Sequence, residues 1–294
     1  AVVKEHLEKY SQNLSVTMTD LSDNLGKIDI QGPLSAKILA ELLQDPSSVF
    51  SKFPYFSCKG WFESADRKPV YLKDDIPILL SRTGYTGEFG FEIFLAGQHL
   101  YKVWQMLLDR GKDDIVPCGL AARDSLRAGA VLPLSHQDIG PWPFLHNPWQ
   151  FALPFDENES FTKTFVGSEA LQQTENPSYT YPFAGYDPRK IPVVEGSAVL
   201  DGNDKKIGEI LTCTTDMAIG RVDGKIISMV TSEKDGKPAD FQPKGLSCGF
   251  VKVEHKIDFG ETVFLTDGKR KVRVEVRSDI RPDRTARLPM HQMI

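Results

Sequence analysis

No apolar run in this chain is long enough to cross a bilayer, and no signal-peptide pattern opens it, so the cytosol is the expected compartment and no membrane partner is implied. Cysteine is scarce. Cys58, Cys118, Cys213 and Cys248 are scattered, with no C-x-x-C pair and no histidine at ligand spacing. That argues against a structural zinc site, no metal is expected, and the four are read as buried free thiols. There is no surplus of positive charge: 35 lysines and arginines stand against 40 aspartates and glutamates, which argues against a phosphate-backbone binder and so against a nucleic-acid partner. Repeats and low-complexity tracts are missing too. What remains is an ordinary globular composition in 294 residues, long for one core and matched to two or three domains.

The most informative stretch runs from Ser81 to Phe94, where Gly84, Gly87 and Gly90 alternate with Tyr85, Phe89 and Phe91. Glycines at that spacing describe a turn-rich ribbon that needs positive φ or close backbone approach. It then becomes a strand. Period two puts Phe91, Ile93 and Leu95 on one face and Glu92 and Phe94 on the other. A carboxylate fixed there on rigid backbone can accept two parallel hydrogen bonds from a planar heterocycle. A plain hairpin with a solvated glutamate also fits.

Upstream, residues 1–13 read as a helix and Ser15–Asp20 as a strand. Lys27–Gln31 alternates as a half-buried strand, Gly32-Pro33 breaks it, and a helix striped with Ile38, Leu39, Leu42 and Leu43 follows. Val70–Leu72 and Ile76–Leu80 read as paired strands. Leu100, Val103, Trp104, Leu107 and Leu108 share a helical face with Gly111 as its stop. On the helix that starts at Leu120, Arg123 and Arg127 lie four apart, either clamping an anion or bound in internal salt bridges, with Asp124 three residues before Arg127.

Composition changes at Pro133. The segment that follows carries Pro141, Pro143 and Pro148, Trp142 and Trp149, and His136 and His146, so it cannot continue a helix. It reads as a cavity wall or an inter-domain packing loop. Phe165–Leu171 starts another helix with Ser168 as its cap, and a proline-marked linker leads to short strands separated by turn signals such as Asp223-Gly224 and Asp267-Gly268. Those strands predict a small β-barrel or sandwich. The basic tail from Lys269 to Arg287, interleaved with Glu275, Asp279 and Asp283, reads as a solvated face.

Taken together, Ser81–Phe94, Gly119–Arg127, His136-Gln137-Asp138, Phe165–Leu171 and Ile207–Ile210 resemble the aminomethyltransferase family in order and spacing over nearly the whole chain. That family includes the glycine cleavage T-protein, tetrahydrofolate-dependent demethylases and YgfZ-like folate-binding proteins. The resemblance implies an α+β fold, a three-domain cloverleaf around a folate channel with a C-terminal β-barrel. Residues 1–20 and 141–180 would belong to the second leaf, 21–140 to the folate-binding leaf and 181–294 to the barrel. It also implies tetrahydrofolate as cofactor, Glu92 of the GYTGE-x-G-x-E motif as the pterin carboxylate, Tyr85 and Tyr55 as pocket aromatics, and Arg123 near the channel.

The chain departs from the family pattern in two places. The family's catalytic aspartate has no counterpart, and the first residues align inside the second leaf, so an omitted or separately supplied segment is expected. Ser135-His136 stand before Gln137-Asp138, and Gln150 replaces a family glutamate on the donor side. This predicts a small-molecule methyl donor and makes a folate-dependent demethylase the first reading. His136 is expected to donate a proton or orient the donor, Asp138 to hold its imidazole, and Trp142, Trp149 and Gln150 to form the donor pocket; a plain turn histidine is the other reading. A glycine cleavage aminomethyltransferase with a lipoylated carrier partner is the alternative. A non-enzymatic YgfZ-like protein ranks last, since its cysteine motif is absent.

Overall fold

The computed structural model describes residues 2–62, 68–143, 145–149, 152–158, 160–175 and 177–294. Two compact units result: one of Ala1–Thr83, Gly90–Ile115 and Pro289–Ile294, the other of Gly84–Phe89 and Val116–Leu288.

In the first unit α1 (Val2–Ser11) buries none of its residues. Ser15–Asp20, expected as a strand, stays irregular and exposed; it pairs with no strand among the described residues, so its alternation has no ladder to join. β1 (Leu25–Gln31) turns Ile28 and Ile30 inward. Gly32, at φ 125°, ends it, and α2 (Ser35–Leu42) buries Ala36, Ile38, Leu39 and Leu42. α3 (Pro46–Phe50) opens on a proline and is capped by Asp45, whose carboxylate accepts from the Ser48 amide at 3.0 Å. β2 (Cys58–Gly60), β3 (Val70–Leu72), β4 (Ile76–Ser81) and β5 (Gly90–Ala96) follow, then α4 (Leu100–Gly111).

The sheet of this unit is antiparallel in the order β1-β5-β4-β2, with β3 also paired to β4. β5 is therefore central. Phe91, Ile93 and Leu95 on it are wholly buried, each worth roughly 1.5–3 kcal/mol. A one-residue slip would drive Glu92 into that core, so the aromatic and aliphatic row fixes the register that holds the carboxylate outward.

Among its described residues the second unit contains α5 (Leu120–Gly129), α6 (Ser168–Gln172) and eight strands: β6 (Tyr179–Gly185), β7 (Ala198–Leu200), β8 (Lys206–Asp216), β9 (Ile219–Val222), β10 (Lys225–Ser228), β11 (Leu246–Val253), β12 (Thr262–Thr266) and β13 (Lys271–Val276). Six of them close a barrel, β11-β6-β13-β12-β7-β8, filled by Phe183, Val199, Val251, Leu265, Val274 and Val276. β9 and β10 form a separate hairpin whose turn, Asp223-Gly224, has φ 49° and 79°, the left-handed pair such a two-residue turn requires. Ala128 of α5 packs with Leu211, Ile219, Leu246, Cys248, Phe250 and Ile280 in a second cluster, and Trp142 lies against it.

Three expectations change here. Residues 116–140, read with the folate-binding leaf, group with the barrel, because Ser125 donates to the Thr215 carbonyl at 2.5 Å and Arg127 to the Thr212 hydroxyl at 3.1 Å, both on β8. Ser168 is the first residue of its helix; Gly167, left-handed at φ 93°, occupies the cap position. Only Cys248 is fully buried, while Cys58 and Cys118 are exposed. No helix among the described residues is long and apolar enough to cross a membrane.

Candidate functional site

Glu92 sits on the central strand of the first unit, opposite Asp29 on β1 and Ser81 on β4. Lys27 Nζ donates to Glu92 Oε1 at 2.5 Å and lies 3.1 Å from Asp29 Oδ1. The Thr83 hydroxyl donates to Glu92 Oε2, and Gln31 Nε2 donates to the Thr83 and Phe91 carbonyls at 3.2 and 3.1 Å. Half-burial alone would raise the Glu92 carboxyl, but the hydrogen bonds from Lys27 and Thr83 outweigh it and hold the group below the ordinary carboxylate range. Glu92 is thus an oriented anion and not a mobile solvated one.

Arg82 lies in the same unit, 1 % exposed, its guanidinium 5.8 Å from the ring centroids of both Tyr55 and Phe91 and donating to the Gly90 carbonyl at 3.3 Å. Burial pushes it down to about 10. Tyr55 is half-buried against this cation. The sequence reading passed over Arg82; a cation beside a strand end reads as solvated unless the rings packed over it are known.

In the second unit Tyr85 donates to the Pro133 carbonyl, and the Arg123 guanidinium stands 5.1 Å from its ring centroid. Burial raises the phenol. Of the two arginines on α5, then, Arg123 is half-exposed beside an aromatic face. Arg127 is the internal partner: it bonds Asp124 at 2.6 Å, the Leu132 carbonyl at 3.2 Å and Asp138.

Asp138 is wholly buried, and its carboxylate accepts from Arg127, from the Thr212 hydroxyl at 2.6 Å and from the Leu134 amide at 2.9 Å. The expected Asp138–His136 pair is not formed. Those three donors hold the carboxylate in the interior, while His136 is exposed on a tight turn at φ 66° with its backbone amide on the Ile139 carbonyl. Trp149 Nε1 donates to the Val131 carbonyl at 3.2 Å; Trp142 carries Lys252 Nζ 4.5 Å from its ring centroid. Both indoles are thereby packed into the second unit, and Gln150, the third donor-pocket residue expected, lies outside the described residues.

The motif turn Gly84–Phe89 is held within this unit from far along the chain. Arg281, read as part of a solvated tail, is 1 % exposed: it donates to the Thr86 carbonyl, to Asp216 at 2.9 Å and to the Leu126 carbonyl at 3.2 Å, and it lies 3.3 Å from Glu88. Thr285 accepts from the Phe89 amide at 2.8 Å and donates to Glu88 at 2.7 Å, and the Ala286 amide bonds the Gly87 carbonyl at 3.1 Å. Nothing in the spacing of the tail could have shown this, since the partners are strands apart in sequence. Among the described residues no three His, Cys, Asp or Glu side chains are grouped to hold a metal.

A family model for the GCVT N-terminal domain matches residues 1–153. The chain is 31 % identical over 230 residues to an aminomethyltransferase of Staphylococcus epidermidis, covering 78 % of this chain and 57 % of that protein. It is 35 % identical over 167 residues to one of Cutibacterium acnes, covering 57 % and 43 %, and 28 % identical over 276 residues to one of Staphylococcus carnosus, covering 92 % and 63 %. The chain therefore spans about half the length of these curated relatives. The crystal structure of the glycine cleavage system aminomethyltransferase T from Bartonella henselae superposes with a TM-score of 0.63 at 22 % identity, over 99 % of this chain and 66 % of that one, a likeness of fold.

Proposed function

We propose that this chain, which belongs to the aminomethyltransferase family, works in a tetrahydrofolate-dependent one-carbon transferase. The observation that carries the reading is Glu92: in the GYTGE-x-G-x-E motif, on the central strand, it is kept ionised by Lys27 and Thr83. An oriented carboxylate suits the paired N–H donors of a pterin edge. In the same unit as Glu92, Tyr55 beside Arg82 supplies a ring face and a cation of the kind that a flat, acidic ligand calls for. Tetrahydrofolate brings a nucleophilic nitrogen, N5, that accepts a one-carbon unit, and the residues named here bind and orient it.

The carbon transferred is assigned to an aminomethyl donor on a lipoylated carrier protein, ahead of the methyl donor that the sequence ranked first. Support comes from the relatives, which bear the name aminomethyltransferase, and from the loss of the expected His136–Asp138 pair on which a distinct proton-donating donor side rested. The reading routes no proton through His136. Titration calorimetry with tetrahydrofolate tests the binding, with loss of heat expected in Glu92→Gln. Turnover with aminomethyl-loaded carrier, set against methyl ethers, sulfonium compounds and methylamines, decides the donor; turnover with a methyl donor alone would return the demethylase reading to first place.

A further inference from the structure

We infer that Lys27 is the residue that keeps Glu92 available as a two-oxygen acceptor for a flat N–H edge, an inference that rests on reading Glu92 as the folate carboxylate. Asp29 and Glu92 stand directly opposite each other in the β1–β5 register. Two carboxylates so placed repel, and sharing one proton is the simplest relief. Whichever carboxyl carried it, that proton would occupy the Glu92 oxygen facing Asp29 and so take an acceptor site from a ligand edge that itself only donates.

Lys27 precedes Asp29 by two residues and so shares its face of the strand. Its ammonium lies 2.5 Å from Glu92 Oε1 and 3.1 Å from Asp29 Oδ1, bridging the two acids. The other donor on Glu92 is a hydroxyl: Thr83 donates to Oε2 and is itself 2.7 Å from the Ser81 hydroxyl at the end of β4. Lys27 and Asp29 from β1 are the charged groups that face Glu92. A carboxylate has about two acceptor sites on each oxygen. One bond from Lys27 and one from Thr83 leave a free site on each, which is what a two-donor edge requires. The three side chains together keep one net negative charge, so the bridge orients the anion without cancelling it.

Titration calorimetry of the full chain with 5-formyltetrahydrofolate, between about pH 4 and pH 8, tests this against Lys27 as a competitor or a bystander. Lys27→Met is expected to move the acid limb of the binding profile up by about one pH unit, which weakens binding about threefold near pH 4.5 and little near neutrality. Adding Asp29→Asn to that variant removes the opposing acid and is expected to restore most of the affinity. Lys27→Arg keeps a cation and is expected to keep the profile, which separates charge from packing. The inference is overturned if, at about pH 4.5, Lys27→Met binds as tightly as or more tightly than the unaltered protein, or if the double variant stays as weak as the single one. Glu92→Gln in the same experiment reads the parent proposal: unchanged binding there removes the folate reading itself, whereas lost binding with an indifferent Lys27→Met removes only the role of Lys27.

Discussion

Arg281 and Asp216 form an ion pair at 2.9 Å with both side chains 1 % exposed, and the same guanidinium reaches the Thr86 carbonyl in the motif turn. Breaking a buried pair by removing one partner costs about 3–5 kcal/mol, because the other charge is left without compensation. Arg281→Met is expected to lose that much stability in urea unfolding, and Arg281→Met with Asp216→Asn to lose less. Burial already pushes the Asp216 carboxyl above its ordinary 3.8, against the pull of Arg281. Without Arg281 the folded state binds a proton more tightly still, so the deficit of the single variant should shrink as the pH falls from neutral toward 4.

Gly87 cannot be replaced without strain. It sits at φ 75°, and a Cβ there would come within 2.7 Å of Ala130 Cβ and 2.8 Å of Arg284 Cδ. Gly87→Ala should destabilise by roughly 1–3 kcal/mol, read as a lower midpoint in thermal unfolding; an unchanged midpoint would mean that the turn yields freely.

Glu92 is held below the ordinary carboxyl value of 4.5, so its contribution to stability is present above that pH and is lost as the pH falls through the depressed value. Glu92→Gln should therefore lower stability slightly above about pH 4.5 and converge with the unaltered protein at lower pH, which flattens the acid limb of the curve. The partners are part-exposed, which limits the effect to less than about 1 kcal/mol.

The four thiols should separate into two classes. Cys58 and Cys118 are exposed; burial pushes Cys213 up to about 11 and raises Cys248 further. Counting modified thiols by mass after brief maleimide treatment should give two in the native protein, with the others reacting only after unfolding.

His136 carries a positive φ of 66°, so glycine at this position removes the imidazole and relieves the backbone at once. His136→Gly should leave single-turnover transfer within about twofold and raise stability by up to about 1 kcal/mol. A hundredfold slower transfer would give the imidazole back its proton-donating role.

Local pattern was readable wherever the partner of a residue is a face and not a particular side chain. The alternation of Phe91, Ile93 and Leu95, the Gly32-Pro33 break, the apolar stripe of α2 and the Asp223-Gly224 hairpin each follow from backbone sterics and burial, and all were visible in the sequence. Glu92 was legible for the same reason, as the outward position of a strand buried on its other side. Charged residues were not, because their fate is set by partners far away in the chain. Arg281 looked like part of a solvated tail until Asp216, Thr86 and Leu126 surrounded it, and Asp138 looked like a neighbour for His136 until Arg127 and Thr212 claimed its oxygens. Ser15–Asp20 failed in the opposite sense: the pattern was there and, among the described residues, the neighbouring strand was not.

Phe89 and Thr285 are joined across 196 positions of the polypeptide. During synthesis at about 5–20 residues per second, the glycine-rich turn leaves the ribosome roughly ten to forty seconds before the segment that fastens it. Until then the Phe89 amide and the Thr86 and Gly87 carbonyls have only water for company. Replacing Thr285 by valine would thus loosen a turn nearly two hundred residues away, read as faster hydrogen exchange at the Phe89 amide.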